Sequence, residues 1–390
     1  MKKFFWEQEG GVYLNSAEWE FLATTIKGLE DVASGEIEEL LGRRAEKIGE
    51  GKIKWSGKKE DAPIANYLAR SIHRVIILLV NEKFVDLTDI YEKFASIGYS
   101  SYIAPEQSFA VVTRRKGRHN FTSIDVSREV GRAIIDSYLK EKRVRLGVNL
   151  DKPDVIVRVY VSDDRVMGGV DTTGQVSLHR RGYRVYQHPA SLKTTIAYGL
   201  LRIADWKFEE SLVDPMCGGG TIPIEAALYA RGIPPGKFRK TEFAFERLTF
   251  MDRSIFEKVK SKKLERKLNL KIVATDASGK HINGAIENAK SAGVLDSIEF
   301  SVADARRMDL DFDKIVANVP YGIRMGSIER IGKLYGEFIN NLLKHEWRRL
   351  VVIVGSDIFL REAQGKLKLI DLREIMYGDL RTFICSYERL

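Results

Sequence analysis

The sequence predicts an α/β protein in two parts, a small α+β half followed by a doubly wound, mostly parallel sheet. Three observations carry this. The chain has 390 residues, more than one hydrophobic core usually holds, so two or three domains are expected. Before about Arg180, strand-like and helix-like stretches are mixed without a regular order, whereas after it strands alternate with helices, the pattern of βαβ units. Finally, a glycine-rich turn at Gly218, Gly219 and Gly220 joins a strand to a helix, a device of open parallel sheets.

In chain order, residues 20–60 hold a short strand, a helix from Leu29 to Leu41 and another strand. Ile64 to Arg70 reads as helix, Val75 to Val80 as a buried strand and Ile90 to Ile97 as helix. Ser108 to Val112 reads as a strand that runs into a basic loop, Arg114 to Arg118; a long helix over Ile124 to Lys140 and a strong strand over Val155 to Val161 complete the half. Later, Leu192 to Arg202 is an apolar helix, and Leu212 to Ala230 is strand, glycine turn and helix. An insertion over 231–270 precedes strand Lys271 to Thr275, helix Ile282 to Ala292 and strands Ile298 to Val302 and Lys314 to Ala317. A helix around Leu334 to Leu343, a strand over Leu350 to Val354 and a final edge pair, Leu367 to Leu372 and Thr382 to Tyr387, close the chain.

Composition excludes several classes. The start of the chain lacks a sustained apolar stretch of the secretory kind, and the run Val75 to Val80 is too short to span a bilayer. Two cysteines, Cys217 and Cys385, cannot build a disulfide framework or a structural zinc site. The expectation is a cytoplasmic monomer with no metal and no membrane partner. The net charge of +9 permits a polyanionic partner.

The stretch Asp214-Pro215-Met216-Cys217-Gly218-Gly219-Gly220-Thr221 lets the backbone approach a ligand closely, and the helix after it offers free N–H groups and a positive dipole end. It lacks both the dinucleotide fingerprint and the Gly-Lys-Ser/Thr of a phosphate loop, so a ligand carboxylate fits as well as a phosphate. Asp276 ends the next strand, where ribose hydroxyls lie in a doubly wound sheet, and Asp304 ends the one after, near the position of an adenine ring. Singly, each acid is as readily a helix N-cap. Three consecutive strands ending this way at the ligand-binding edge point to a site.

The fourth strand ends in Asn318-Val319-Pro320-Tyr321 and faces the same crevice. An amide oxygen and the following carbonyl can accept both hydrogens of one exocyclic NH2 group. Pro320 stiffens the turn, and Tyr321 can stack on a flat base for roughly 1–3 kcal/mol. An ordinary Asn-capped proline turn would look the same in isolation.

These residues carry a resemblance. Asp214 to Thr221 with Ile224-Glu225-Ala226-Ala227, followed by Asn318-Val319-Pro320-Tyr321-Gly322, is similar to the amino-directed class I methyltransferases that use S-adenosyl-L-methionine. The stretches SLHRRGYRVYQHPASLKTTIA (177–197), RRKGRHNFTSIDVSREVGRAI (114–134) and VDTTG (170–174) resemble the THUMP-domain tRNA guanosine N2-methyltransferases, in particular the type acting on guanosine 6 of the acceptor stem. The resemblance covers nearly the whole chain. It implies a ferredoxin-like domain at 1–60, a THUMP domain at 61–170, a linker at 171–188 and a Rossmann-like catalytic domain at 189–390. It implies that Gly218, Gly219, Gly220 and Thr221 hold the methionine end of the cofactor beside Asp214, under a cover of His188, Pro189, Ala190, Ser191 and Leu192. Asp276 would bind the ribose, and Asp304 with Ala305 the adenine. Asn318, which borders the cofactor as well, and the Val319 carbonyl would orient guanine N2, with Pro320 holding the turn and Tyr321 stacking on the base. Two features depart from the commoner pattern: Val319 stands where proline is usual, and the motif opens with Asn rather than the Asp typical of enzymes acting at tRNA position 10. The second departure favours the acceptor stem.

Basic residues gather at Arg114, Arg115, Lys116, Arg118 and His119, at the linker residues Arg180, Arg181 and Arg184, and at Lys237 and Arg239 of the insertion. Such clusters neutralise tRNA phosphates without reading sequence, though a solvated face has the same composition. A guanosine in a paired stem must be turned out to reach Asn318. An amino-directed DNA methyltransferase shares the cofactor loop but should carry a target-recognition domain in place of the THUMP-like half. A 5-methylcytosine enzyme needs a cysteine nucleophile in the base pocket, whereas Cys217 lies in the cofactor loop and Cys385 in a late strand. A non-catalytic RNA-binding protein would have no use for Asn318 and Tyr321, and a THUMP thiouridine synthase needs an ATP-pyrophosphatase loop that the sequence lacks.

Overall fold

A computed structural model describes residues 18–321, 328–378 and 380–390. Gly322 of the strand-end motif and residues 1–17 of the expected first domain lie outside them. The first half runs β1 (Trp19–Thr24), α1 (Glu30–Leu41), β2 (Ala45–Gly49), β3 (Lys52–Gly57), α2 (Asp61–Leu68), β4 (Arg74–Lys83), α3 (Leu87–Ala95), β5 (Ser108–Lys116), α4 (Ser123–Lys142), β6 (Gly147–Val148), β7 (Val155–Ser162) and β8 (Arg165–Asp171). Its strands form one eight-stranded sheet in the order β2-β3-β1-β4-β8-β7-β5-β6. The expected ferredoxin-like and THUMP parts therefore share a sheet, in which β4 pairs antiparallel with β1 on one side and with β8 on the other.

Strand β8 escapes a reading by periodicity because Gly168 and Gly169 interrupt it. Both are required by packing. A Cβ on Gly169 would stand 1.8 Å from the Ile77 carbonyl oxygen, and one on Gly168 would stand 2.6 Å from the Phe94 ring. The register of β4 slips opposite them, between Leu78 and Val80. A second difference concerns the basic stretch after Val112. Arg114, Arg115 and Lys116 are not loop residues: they finish β5, paired with β7 in parallel register, and only Arg118 and His119 lie beyond it. Three consecutive long cationic side chains mask the strand pattern there.

The second half runs α5 (Thr194–Ile203), β9 (Leu212–Asp214), α6 (Thr221–Ala230), α7 (Arg253–Ser261), β10 (Ile272–Asp276), α8 (Gly279–Ala292), β11 (Glu299–Val302), β12 (Phe312–Asn318), α9 (Ile328–Leu342), β13 (Trp347–Val354), α10 (Ile358–Ala363), β14 (Leu367–Tyr377) and β15 (Leu380–Arg389). Its sheet order is β11-β10-β9-β12-β13-β15-β14, and β15 runs antiparallel to both neighbours. Strand side chains alternate between two cores. Leu212, Val316, Val351 and Ile353 pack toward α5, α6 and α8, while Val213, Ile315, Ala317 and Val352 pack toward α9 and α10. This is the doubly wound architecture. Four strand carboxyl ends, those of β9, β10, β11 and β12, meet along one edge.

The insertion after α6 is neither a solvated loop nor free for RNA along most of its length. Phe243, Phe245, Leu248, Met251, Phe256 and Val259 join the core of the first half. The Phe250 ring stacks on Trp19 at 5.4 Å, Phe256 meets Tyr67 edge-on at 5.5 Å, and the Phe245 N–H donates to the Thr172 carbonyl at 3.0 Å. The insertion thus braces the catalytic half against the THUMP half. A buried polar joint lies beside it. Arg70 donates to the carbonyls of Leu228 and Ile233, Arg181 donates to that of Arg70, and Glu225 accepts the Tyr183 hydroxyl at 3.0 Å.

Asp61, at the start of α2, is buried, and burial pushes its carboxyl up to about 6 against the pull of Arg43, 3.3 Å away. The folded state holds this proton more tightly than an unfolded chain, where aspartate titrates near 3.9. Its contribution to stability is complete below that range and is lost as pH rises through about 6. Asp61→Asn should therefore gain on the parent in urea midpoint between pH 5 and pH 8. A constant difference across that window would exclude Asp61 as the source.

Candidate active site

The glycine loop is pinned from below and from one side. Gly218 and Gly220 sit in the left-handed region, at φ 52° and 76°, which side-chain-bearing residues adopt at a cost. The Cys217 N–H donates to the Thr275 carbonyl at 2.8 Å, tying the loop to β10. A Cβ on Gly220 would stand 3.0 Å from the Ala285 Cβ of α8, so the loop and α8 need glycine to approach this closely. Thr221 opens α6. Asp214, at the end of β9, is buried, accepts the Met216 N–H at 3.2 Å and has its carboxyl raised well above the ordinary range by burial, with the nearby Asp276 adding to the effect. Asp276, at the end of β10, accepts the Gly218 N–H at 3.0 Å and the Ser278 N–H at 2.9 Å, with His281 Nδ1 at 3.2 Å.

A strap formed by residues 184–192 lies across this loop. The His188 ring rests on it: ideal Cβ atoms on Gly218 and Gly219 would come within 3.2 Å of His188. His188 and His281 meet edge-on at 4.4 Å, and burial with the neighbouring His281 lowers the pKa of His188. Four residues outside the motifs hold the strap and the strand-end turn. Asn288 of α8 accepts the N–H groups of Val185 and Tyr186, both at 2.8 Å, and donates to the carbonyls of Tyr186 and Gly219. Tyr186 lies over Gly284, where a Cβ would stand 2.2 Å from the ring. Arg184 donates to the Leu192 carbonyl and, at 3.0 Å, to the Thr221 hydroxyl. Tyr377, the last residue of β14, donates to the Ser191 carbonyl. Tyr335 of α9 donates to the Pro320 carbonyl. Only Gly284 and Asn288, one turn apart on the α8 face toward the loop, leave a spacing signal in the sequence; Tyr335 and Tyr377 belong to unremarkable apolar stretches.

Asn318 ends β12 beside the strap. Its amide nitrogen is 3.4 Å from the Ala190 carbonyl, and its oxygen accepts the Tyr321 hydroxyl at 2.8 Å. Val319 is buried, while Pro320 and Tyr321 are half-buried. The Tyr321 ring packs on the Gly355 backbone, where a Cβ would stand 2.7 Å away. Tyr321 is thus folded toward Asn318 rather than standing free in the crevice. The Asn318 oxygen keeps a second lone pair for another donor. Pro189 and Ala190 are exposed, Ser191 half-buried and Leu192 buried. Asp304 lies past the end of β11 and forms a close pair with Arg306, at 2.6–3.0 Å, which holds its carboxyl below the usual range. Ala305 is buried, and its carbonyl accepts from Asn341. The structure thus brings the glycine loop, the strap, Asp276 and Asn318 together at one edge of the sheet; it leaves the Asp304 carboxylate occupied by Arg306.

The expected phosphate contacts divide. Arg114, Lys116 and Arg118 are exposed, as is Arg180. Lys116 pairs with Glu50, while Arg115 and His119 bond one another at 2.8 Å. Arg181 is corrected by the structure: only 3% exposed, it spends its donors on the carbonyls of Leu178 and Arg70 and faces Glu225 at 3.5 Å, so it cannot reach RNA. Arg184 turns inward to the strap, as described. Arg239 is likewise part of the brace, donating to the Thr173 carbonyl at 2.9 Å and lying over the Phe243 ring, and burial lowers it to about 10. Lys237 is exposed, 3.8 Å from Glu265. Among the described residues, no helix is long and apolar enough to cross a membrane.

Comparison with known proteins gives the family. The chain matches the family of RMKL-like methyltransferase domains over residues 181–380, the THUMP domain over 84–171 and the RlmL ferredoxin-like domain over 20–76. A protein of Methanocaldococcus jannaschii named tRNA (guanine(6)-N2)-methyltransferase is 44% identical over 374 residues, 93% of this chain and 98% of the relative. One of Archaeoglobus fulgidus with the same name is 40% identical over 373 residues, 94% of this chain and 91% of the relative. The crystal structure of a possible methylase from Clostridium difficile superposes with a TM-score of 0.85 at 28% identity, covering 96% of this chain and 99% of that one.

Proposed function

This chain belongs to the RMKL-like methyltransferases that carry a THUMP domain, and from that membership we infer what it does: it transfers a methyl group to the exocyclic N2 of a guanosine in tRNA. Guanosine 6 is the target that the names of two of its relatives support. The single observation that carries the reading is the meeting of the Asn318 amide with the glycine loop and strap at one sheet edge.

The residues present fit S-adenosyl-L-methionine, which when bound supplies an electrophilic methyl group on a sulfonium. The loop Gly218-Gly219-Gly220 offers backbone surface that side chains would otherwise fill, and Thr221 starts a helix whose N-terminus favours a carboxylate. Asp276 is fixed by two N–H donors in the place where a ribose diol is bound in such sheets. Asp304 can take the adenine amine once it shares or releases Arg306. His188, Pro189, Ala190, Ser191 and Leu192 form the cover.

On the substrate side, the Asn318 oxygen and the Val319 carbonyl each accept one hydrogen of guanine N2. The amine lone pair is then held away from conjugation with the ring and aimed into the crevice. Tyr321 can stack on the base once its hydroxyl leaves Asn318, and Pro320, gripped by Tyr335, keeps the turn from moving. Placement of this kind can lower a barrier by roughly 7–11 kcal/mol. Asp276→Ala should weaken cofactor binding by about 1.5–3 kcal/mol, the usual loss for a bond to a charged group. Calorimetry with S-adenosyl-L-methionine checks this, and unchanged affinity would place the ribose elsewhere. The whole reading is tested by incubating unmodified tRNA with protein and labelled cofactor and mapping the product by mass spectrometry. A methyl on any atom but guanine N2 would overturn it.

A further inference from the structure

Near the meeting of the THUMP and catalytic halves lie cations that no carboxylate among the described residues pairs with. Lys193, the residue just after the strap, caps α5 and is half-buried. Its ammonium lies 5.7 Å from the centre of the Tyr377 ring, and among the described residues no carboxylate pairs with it. Burial and the Arg114 guanidinium both lower its pKa. Arg114, at the end of β5 on the THUMP side, is exposed and likewise has no acidic partner among the described residues. Two histidines lie beside these cations. His73 and His179, with rings 4.9 Å apart, are both held below the ordinary range, chiefly by burial. His179 is pushed down to about 4 by burial and then by Lys193, Arg181, Arg180 and Arg184. Arg181 faces Glu225, and Arg184 spends donors on the Leu192 carbonyl and the Thr221 hydroxyl while keeping its charge, so the cations whose heads remain for a ligand are Lys193, Arg114 and Arg180.

The position of Lys193 gives this charge a purpose. Tyr377, under its ammonium, donates to Ser191, and Asn318 reaches the adjacent Ala190. Burial, and then the neighbouring Tyr377, raise the pKa of the Tyr321 hydroxyl. Tyr377 thus links Lys193 to the strap residues beside Asn318.

We propose that Lys193 and Arg114 grip the phosphodiester backbone of the nucleotide whose base is turned into the crevice, Lys193 at its own phosphate and Arg114 at a neighbouring one. This inference rests on the tRNA methylation inferred above. Turning a base out of a paired stem strains the backbone, and a cation at the mouth of the pocket stabilises the extruded form in which the phosphate faces the protein. The role proposed for Lys193 is on the substrate side.

The test uses the full chain, unmodified tRNA and labelled S-adenosyl-L-methionine. With saturating tRNA, Lys193→Ala should lower the single-turnover rate roughly tenfold, since extrusion rather than docking is impaired. The slope of log affinity for tRNA against log salt should shrink by about 0.9 in Lys193→Ala and again in Arg114→Ala, one phosphate each. Cofactor affinity by calorimetry should stay at the parent value, and Lys193→Arg should recover most of the rate. Parent-like rate and slope in Lys193→Ala overturn the proposal, as does a loss confined to cofactor affinity, which would make Lys193 a support of the strap. A parent protein that binds the cofactor yet leaves tRNA unmethylated takes down the functional reading and this inference with it, and the control arm shows that case separately.

Discussion

Asn318→Ala is expected to lower single-turnover methylation of tRNA by roughly a hundredfold or more, because misplacing a reacting group by an ångström costs that much. The side chain offers the reaction an acceptor fixed in direction. Its oxygen takes the Tyr321 hydroxyl at 2.8 Å, so the ring and the amide lock one another, and the backbone beyond is gripped by Tyr335 through Pro320. Alanine removes the acceptor for one guanine hydrogen and frees the Tyr321 ring together. Toward the strap the loss is small, since the amide nitrogen makes a single long contact of 3.4 Å with Ala190. Cofactor affinity should thus be nearly unchanged. Tyr321→Phe separates the two effects, keeping the ring while removing the hydroxyl, and should fall between parent and alanine variant. Parent-like single-turnover rates in Asn318→Ala would remove this residue from the chemistry and leave the Asn-Val-Pro-Tyr turn a structural one.

Much of this site is legible in the sequence because local backbone rules write it. A ligand loop that must approach closely needs Gly218 and Gly220 in left-handed conformations, and strand ends at a ligand edge carry short polar residues such as Asp276 and Asn318. The strap supports are not legible. Asn288 matters because its amide reaches four backbone groups of two other segments, a fact of tertiary packing. Fold class follows from alternating strands and helices, yet β8 is hidden, since the glycines that let β4 approach also erase its side-chain pattern. Charge misleads most. Arg181, Arg184 and Arg239 look in sequence like Arg114 and Arg180. Their burial depends on where carbonyl oxygens of other segments arrive, which no local pattern encodes.

The joint that buries Arg181 supplies the second large effect: Glu225→Gln is expected to destabilise the protein by about 3–5 kcal/mol, the cost of leaving a buried charge without its partner. Glu225 and Arg181 are both almost fully enclosed, with side chains 0% and 1% exposed. Their 3.5 Å separation is too long for a strong hydrogen bond, so the pair is held by charge in a dry environment. Glutamine keeps the size and can still accept the Tyr183 hydroxyl, which isolates the electrostatic part. Arg70 adds to the strain, since it lies near enough to feel both Glu225 and Arg181. The double variant Glu225→Gln/Arg181→Met removes one of the two buried cations that face Glu225 and should recover part of the loss, a coupling that denaturant unfolding of all four proteins measures directly. A Glu225→Gln midpoint equal to the parent's would mean that water already reaches the pair. The consequence for function follows from location. Arg181 ties the linker to Arg70 of the THUMP-bearing half, and Glu225 sits in the helix that starts at the glycine loop. A charge pair there, together with the aromatic brace at 243–256, ties the first half of the chain to the half that carries Asn318.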